Sequence, residues 1–248
     1  MINLENKVVV ITGGNSGIGL ETARVFRKKG ARVITNARNA QRLKETEAEY
    51  GEIFDKVLVA DLTKTEETSK FFDEVGKAYG RIDTLFLNAG VAYLAPIDQI
   101  TDELYDAQFN LNVKSLLFSV KAALPYLTKG SSILINTSIN GRIAMPGSTI
   151  YAATKAAARS ISLVLAGELV DRGIRVNAIA PGPIETPIFS KMGMPEETLK
   201  ETAASIQARV PVGRFGKPHE VASLALELST NDYITGQEFV VDGGMSAL

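Results

Sequence analysis

Seven short runs rich in β-branched residues recur along the chain: KVVVIT at 7–12, ARVIT at 31–35, KVLVA at 56–60, IDTLFL at 82–87, SSILINTS at 131–138, IRVNAIA at 174–180 and QEFVVD at 237–242. Between most of them lie ten or more residues with apolar side chains at helical spacing, as in ETARVFRKKG and ETSKFFDEVGKAYG. The runs are close to continuously apolar, which is the pattern of strands buried on both faces. Strands that alternate with helices pair in parallel, and right-handed crossovers then place helices on both sides of the sheet. The chain is therefore expected to form an α/β fold, a doubly wound parallel sheet of about seven strands with helices on both faces.

No linker, repeat or low-complexity tract divides the 248 residues, so residues 1–248 are read as one domain. The least regular stretch is PGPIETPIFSKMGMPEE at 181–197. Its prolines and glycines break helix and strand alike, and a long irregular loop near the carboxyl edge of a sheet suits a substrate lid, placed around 182–200.

Immediately after the first strand comes TGGNSGIG, 12–19, and then a helix starting about Ile18. Glycines let the backbone turn sharply and come close to a pyrophosphate, and the free N–H groups at the start of the next helix attract the anion. Gly13, Gly17 and Gly19 do not follow the G-x-G-x-x-G spacing of the ordinary Rossmann fingerprint, but the strand before and the helix after mark a Rossmann-type dinucleotide site rather than a simple tight connection.

Several chemistries are excluded by what the chain lacks. Without cysteine there is no thiolate nucleophile, disulfide or Cys-ligated metal, and a reducing compartment, the cytoplasm, is the expected location. The one histidine, His219, follows Pro218 at an apparent helix start, which leaves no Ser-His-Asp hydrolase, and the elbow pattern G-x-S-x-G is absent. Acidic residues are scattered along helices rather than clustered, so no metal is expected. The net charge of −1 gives no reason to expect nucleic acid as a partner, and the sequence shows neither a signal-peptide h-region nor an apolar stretch of membrane-spanning length.

In IYAATKAA, 150–157, only Tyr151 and Lys155 can titrate, and four residues apart they share one face of a helix. Spacing alone is equally that of an exposed Tyr-Lys pair. The neighbouring motifs change the balance. TGGNSGIG matches the TGxxxGxG turn of the short-chain dehydrogenase/reductase family, LNAG at 87–90 resembles its NNAG, and YAATK matches its YxxxK. Asp61 with Leu62, Asn112 in NLNVKS, Ser138 in NTSI, Pro181 with Gly182 and the closing DGG at 242–244 extend the resemblance over nearly the whole chain. Leu87 departs from the first Asn of the family motif, with little effect expected because Asn88 remains.

The resemblance implies a catalytic set. Tyr151 would give a proton to a carbonyl oxygen or take one from an alcohol, and a free phenol with a pKa of about 10 needs help to do so. Lys155 would lower that pKa by its charge and hold the nicotinamide ribose. Ser138 would donate to the substrate oxygen, and Asn112 would hold a water that passes protons on from Lys155. Taken singly, Ser138 is also a strand-terminal turn serine and Asn112 a structural helix residue. The implied cofactor contacts are Asn15, Ser16 and Ile18 at the phosphates, Asp61 and Leu62 at the adenine, Asn88, Ala89 and Gly90 at the adenosine ribose, and Ile184 with Thr186 at the carboxamide. Asp61 could equally cap the helix before KTEET, and Asn88 could brace the sheet.

An NAD site commonly carries an acid at the end of the second strand. Here RVITNARN, 32–39, offers Asn36, Ala37 and Arg38 instead, so NADP(H) is expected to be preferred, with Arg38 on the 2′-phosphate and Asn15 and Asn36 donating hydrogen bonds. The simple alternative is that Arg38 is a solvated residue ahead of a helix at Ala40. The expected activity is NADP(H)-dependent interconversion of a ketone and a secondary alcohol. A catalytically silent NADP-binding regulator of the same fold is the rival. The substrate is not specified by the sequence: 3-oxoacyl thioesters and sugar or steroid alcohols all fit, and Tyr93, Asn140, Met145, Ile188 and Met192 are expected to border a mainly apolar pocket. A homotetramer is expected from the resemblance and from the small apolar face of AATKAAARSISLVLAGEL.

Overall fold

The computed structural model describes residues 3–187 and 196–248. Seven strands, β1 (Val8–Ile11), β2 (Arg32–Ala37), β3 (Lys56–Val59), β4 (Ile82–Leu87), β5 (Leu127–Asn136), β6 (Arg175–Pro181) and β7 (Glu238–Val241), form one sheet in the order β3-β2-β1-β4-β5-β6-β7. Every pairing is parallel. The helices are α1 (Gly17–Lys28), α2 (Ala40–Tyr50), α3 (Thr65–Tyr79), α4 (Asp102–Phe109), α5 (Ser115–Ala123), α6 (Thr149–Leu169), α7 (Glu196–Ala208) and α8 (Pro218–Thr230). The expected fold class and strand count are found, and His219 is exposed in the first turn of α8 as its setting suggests.

Alternation of side chains along the buried strands divides the core in two. Val8 and Val10 of β1 join Phe71, Phe72 and Val75 of α3 and Leu116 and Val120 of α5 on one face. Val9 and Ile11 join Phe26 of α1 and Val221 and Ala225 of α8 on the other. Helix α1 shows how the sequence directs this: Gly19, Thr22, Ala23 and Phe26 recur at helical spacing and are its buried residues. Leu87, where the family motif has Asn, is buried in the first of these clusters, so its side chain is accounted for by packing.

The largest boundary difference from the sequence reading is at the start of β5. β5 begins at Leu127 rather than Ser131, because Leu127 pairs with Ile82 across a register shift, and Gly130, at φ 92°, supplies the left-handed residue there.

The order of the sheet reverses between β1 and β4, so the connections leaving these two strands diverge and open a crevice above the carboxyl edge. The glycine turn, the loop after β4, the loop after β5 and the loop after β6 all arrive there.

Candidate active site

The glycine turn is built to lie close to its neighbours. A Cβ on Gly13 would sit 3.1 Å from the Ala89 Cα, and one on Gly19 would sit 2.5 Å from both the Asn88 amide nitrogen and the Gly13 carbonyl. Gly13 and Gly17 also have positive φ. Ser16 is the N-cap residue of α1 yet makes no side-chain capping bond, and no acidic residue occupies the first turn. Its hydroxyl and the positive end of the helix are thus available to a phosphate. This turn walls a cleft that runs from Arg38, Asp61 and Leu62 to Asn136.

Asn88 ties the turn to the reacting end. Its amide nitrogen donates to the Thr12 and Gly13 carbonyls at 3.2 Å each, and its oxygen accepts from Asn136 Nδ2 at 3.0 Å. The sheet-bracing reading of Asn88 therefore holds. Because both ends of Asn88 are assigned by its partners, the orientation of Asn136 is assigned too: Nδ2 faces Asn88 and Oδ1 faces the other way, buried and without a hydrogen-bond partner among the described residues. Asn136 lines the cleft and the adjoining pocket alike. A buried acceptor without a donor is costly, and this one lies where a bound molecule can supply the donor. The nicotinamide nucleotide that the turn implies thus fits the residues present.

The second pocket is lined by Val91, Ile139, Met145, Ile206 and Met245 and by Ser138, Tyr151 and Lys155. Asn140 and Met145 border it as expected, joined by a 3.5 Å contact from the Asn140 amide nitrogen to the Met145 sulfur, whereas Tyr93 borders the nucleotide cleft instead. Of the lid expected around 182–200, Gly182 to Pro187 and the residues from 196 onward are described, and Ile188 and Met192 lie outside the described residues. Pro181, Gly182, Ile184 and Thr186 line this pocket, and Thr186 also touches the position a Gly17 side chain would take. Gly182 is needed against the DGG segment, because a Cβ there would fall 2.6 Å from the Asp242 Cβ.

Lys155 is 5 % exposed. Its ammonium donates to the Asn136 main-chain carbonyl at 2.8 Å and lies 5.7 Å from the centre of the Tyr151 ring. Burial lowers its pKa to about 8. Tyr151 is half-buried, and burial raises its pKa, opposed by the Ser138 hydroxyl that faces the phenol. The direction is the reverse of the one expected from the Tyr-Lys charge pairing, and loss of water is the largest cause for both groups. A phenol held protonated in this way is suited to act as an acid. Ser138 combines its two readings, since its Oγ accepts from Asn140 N at 3.1 Å and so caps the short turn Ile139–Gly141 while also facing Tyr151. Gly141 lets that turn rest on α6, where a Cβ would come within 2.9 Å of the Lys155 carbonyl carbon.

Two expected contacts have other partners here. Asn112 sits in a wide helical turn, Asn110–Lys114, where its amide pairs with both polar groups of the Val91 backbone at 2.9 Å and donates to Thr154 Oγ1 at 3.0 Å. With both N–H groups engaged, it positions the loop after β4 against α6, and the water-holding role would fall to its remaining acceptor capacity. Asn36 accepts from Gly13 N and donates to the Ala60 carbonyl, both at 3.0 Å, bracing the glycine turn from β2 rather than offering its amide freely to a phosphate. Asp61 accepts from Thr63, and the N-cap of α3 is Lys64, so the capping reading of Asp61 does not apply.

Sequence reasoning passed over Asn136, Gln108 and Arg42. Gln108 is fully buried and clasps the Tyr93 backbone as Asn112 clasps Val91. Its spacing of four from Asn112 on a helical segment was the available clue. Among the described residues no group of three or more His, Cys, Asp or Glu side chains is placed to hold a metal ion, and no helix is long and apolar enough to cross a membrane.

A glycine turn at the sheet's switch point, beside a pocket lined by Ser138, Tyr151 and Lys155, defines the class of protein. The model of the family described as Enoyl-(Acyl carrier protein) reductase matches residues 13–246. A 3-oxoacyl-[acyl-carrier-protein] reductase, FabG, of Thermotoga maritima is 40% identical over 252 residues, covering 98% of this chain and 99% of that one. The rat dehydrogenase/reductase SDR family member 6 is 34% identical, covering 99% of this chain and all of the other. A short-chain dehydrogenase of Burkholderia cenocepacia, solved in complex with NADP, superposes with a TM-score of 0.88 at 28% identity and covers 99% of this chain and 100% of that one. The chain belongs to the short-chain dehydrogenase/reductase family and is an oxidoreductase.

Proposed function

We propose that the protein is an NADP(H)-dependent oxidoreductase that interconverts a ketone and a secondary alcohol, with Tyr151 as general acid and base. The observation that carries this reading is the convergence of Ser138, Tyr151 and Lys155 on the lining of the apolar pocket, which adjoins the nucleotide cleft through Ile18, Asn88, Gly90 and Asn136. The nicotinamide, when bound, supplies or accepts the hydride. In reduction the Ser138 hydroxyl donates to the carbonyl oxygen, and Tyr151 gives that oxygen its proton as negative charge develops there. Lys155 holds a proton close to the phenol and, with Tyr151, would hold the nicotinamide ribose, while Ser16, Gly17 and Ile18 would hold the phosphates. Arg38, exposed and without an ion pair among the described residues, would take the 2′-phosphate.

Apart from Lys155, the described residues lining the pocket carry no positive charge, which favours an uncharged, largely apolar carbonyl compound. The named activity of the Thermotoga relative makes a 3-oxoacyl thioester the first compound to test. A panel of 3-oxoacyl thioesters, steroid ketones and sugar alcohols, followed by NADPH absorbance with each, tests the reading, and no turnover with any of them would favour the silent nucleotide-binding alternative. That alternative has no structural observation in its favour, since none of the three reacting side chains is missing or turned away. We also propose a homotetramer in the cytoplasm: Leu163 and Val164 of α6 and Leu117 of α5 are exposed apolar side chains. Sedimentation as a single 26.6 kDa species at micromolar concentration would dispose of the assembly.

A further inference from the structure

The adenosine end of the cleft carries a second guanidinium and a carboxylate that the reading above leaves unused. Arg42 and Glu45 stand in the first turns of α2 and line the cleft together with Arg38. Arg42 reaches in two directions. One amino group donates to the Asn15 carbonyl of the glycine turn at 3.4 Å, and the other pairs with Glu45 at 3.0 Å. Gln41 donates to the second oxygen of Glu45 at 2.9 Å. These two hydrogen bonds, Gln41 first, lower the pKa of Glu45 and keep it an anion.

The side chains of Arg42 and Glu45 are 40% and 44% exposed, so their pairing is of the kind that contributes little and rearranges readily. Asn15, which Arg42 touches, is held to the same helix by its amide on Thr46 at 3.2 Å. The guanidinium is therefore docked between the phosphate turn and α2, with donors left over.

We propose that Arg42 is a second arm of the site for a 2′-phosphate and that Glu45 is its counterweight, an anion that a phosphorylated nucleotide must displace and an unphosphorylated one need not. The proposal rests on the reading that Arg38 takes the 2′-phosphate. A phosphate monoester carries nearly two negative charges, so it gains from both arginines and is repelled by Glu45. The ribose hydroxyl of NADH meets neither effect strongly. Glu45 thereby holds the preference for NADPH below what two arginines would otherwise give.

The test is direct titration of the protein with NADPH and with NADH, followed by nucleotide fluorescence without substrate, for the wild type and the variants Arg38→Leu, Arg42→Gln and Glu45→Gln. A partly solvated phosphate contact corresponds to roughly three- to tenfold in affinity. Arg42→Gln is expected to weaken NADPH by about that factor and to leave NADH within about twofold. Glu45→Gln is expected to tighten NADPH by about threefold, again without change for NADH, and the gain should shrink as salt is raised. Equal shifts for the two nucleotides, or none, in both α2 variants would overturn the proposal. If Arg38→Leu alone weakens NADPH selectively, the Arg38 reading stands and the role of α2 is refuted. If wild type binds the two nucleotides equally and Arg38→Leu changes nothing, the underlying reading fails as well.

Discussion

The Lys155 ammonium donates to the main-chain carbonyl of Asn136 across 2.8 Å, inside a wall where the lysine is almost wholly removed from water. The same Asn136 is joined through Asn88 to the carbonyls of the glycine turn. The lysine and the glycine turn are thus connected by two amide side chains, and a ligand felt at one end would meet a structure continuous with the other.

This burial gives a stability prediction. Below pH 8 Lys155 is charged in both the folded and the unfolded chain, and the folded chain bears the full desolvation penalty. Between about 8 and the ordinary value of 10.5 the unfolded chain binds more protons, so this group makes stability rise with pH. Above 10 the raised pKa of Tyr151 acts in the opposite sense, because the unfolded phenol ionises first. Wild type should therefore gain about 2 kcal/mol on a Lys155→Met variant between pH 8 and 10, measured by urea unfolding at each pH. A constant difference across that window would show that the ammonium is not desolvated.

Tyr151→Phe should leave nucleotide binding nearly intact and remove most turnover, because the ring still packs while the transferable proton is gone. Steady-state kinetics beside nucleotide titration separates the two. Retention of more than about a tenth of wild-type kcat would refute the acid and base assignment, since such catalysis is typically worth about 10² or more.

The site was legible in the sequence where chemistry resides in local motifs. TGGNSGIG, Ser138 and YAATK name the turn, the hydroxyl and the Tyr-Lys face because strand-to-turn and i,i+4 geometry are nearly fixed by local conformation. What escaped depends on distant partners. Asn136 is one polar residue at the end of an apolar strand until Asn88, from the loop after β4, assigns its amide. The direction of the Tyr151 and Lys155 shifts is decided by how much water the surrounding loops exclude, which spacing does not encode. The early start of β5 depends on a pairing with Ile82 that no local pattern announces.

Cofactor choice should respond to the loop after β2. An Ala37→Asp, Arg38→Leu double variant would place an acid beside the ribose hydroxyls and remove the Arg38 guanidinium, so the ratio of kcat/KM for NADPH over NADH should fall below that of wild type by about tenfold to a hundredfold. Ala37 is buried at the strand end, and part of any loss of stability will come from placing a carboxylate there. The ratio, unlike the absolute rates, is insensitive to that loss. A double variant that still favoured NADPH to the wild-type degree would show that the loop does not read the phosphate.

Behind the Ser138 turn, Glu238 of β7 places a carboxylate with only 2% of its side chain exposed between Arg142 at 2.5 Å and Arg159 at 2.9 Å. Thr137, next to Ser138, approaches the same carboxylate at 2.5 Å. One buried anion therefore holds the residues on both sides of the Ser138 turn and a residue of α6 one helical turn beyond Lys155. Removing one partner of a buried ion pair costs about 3–5 kcal/mol when the other stays buried, but Arg142 and Arg159 are 35% and 44% exposed and can turn to water. Glu238→Gln is accordingly expected to cost about 1–3 kcal/mol, lowering the melting temperature by several degrees. It should also lower kcat more than it raises KM, because the loosened part is the one facing the reacting oxygen rather than the apolar lining. Thermal melts and steady-state kinetics on the same preparation check both. A variant that melts lower with unchanged kcat would confine Glu238 to stability, and one unchanged in both would mean that the two arginines and Thr137 find equivalent partners without the charge.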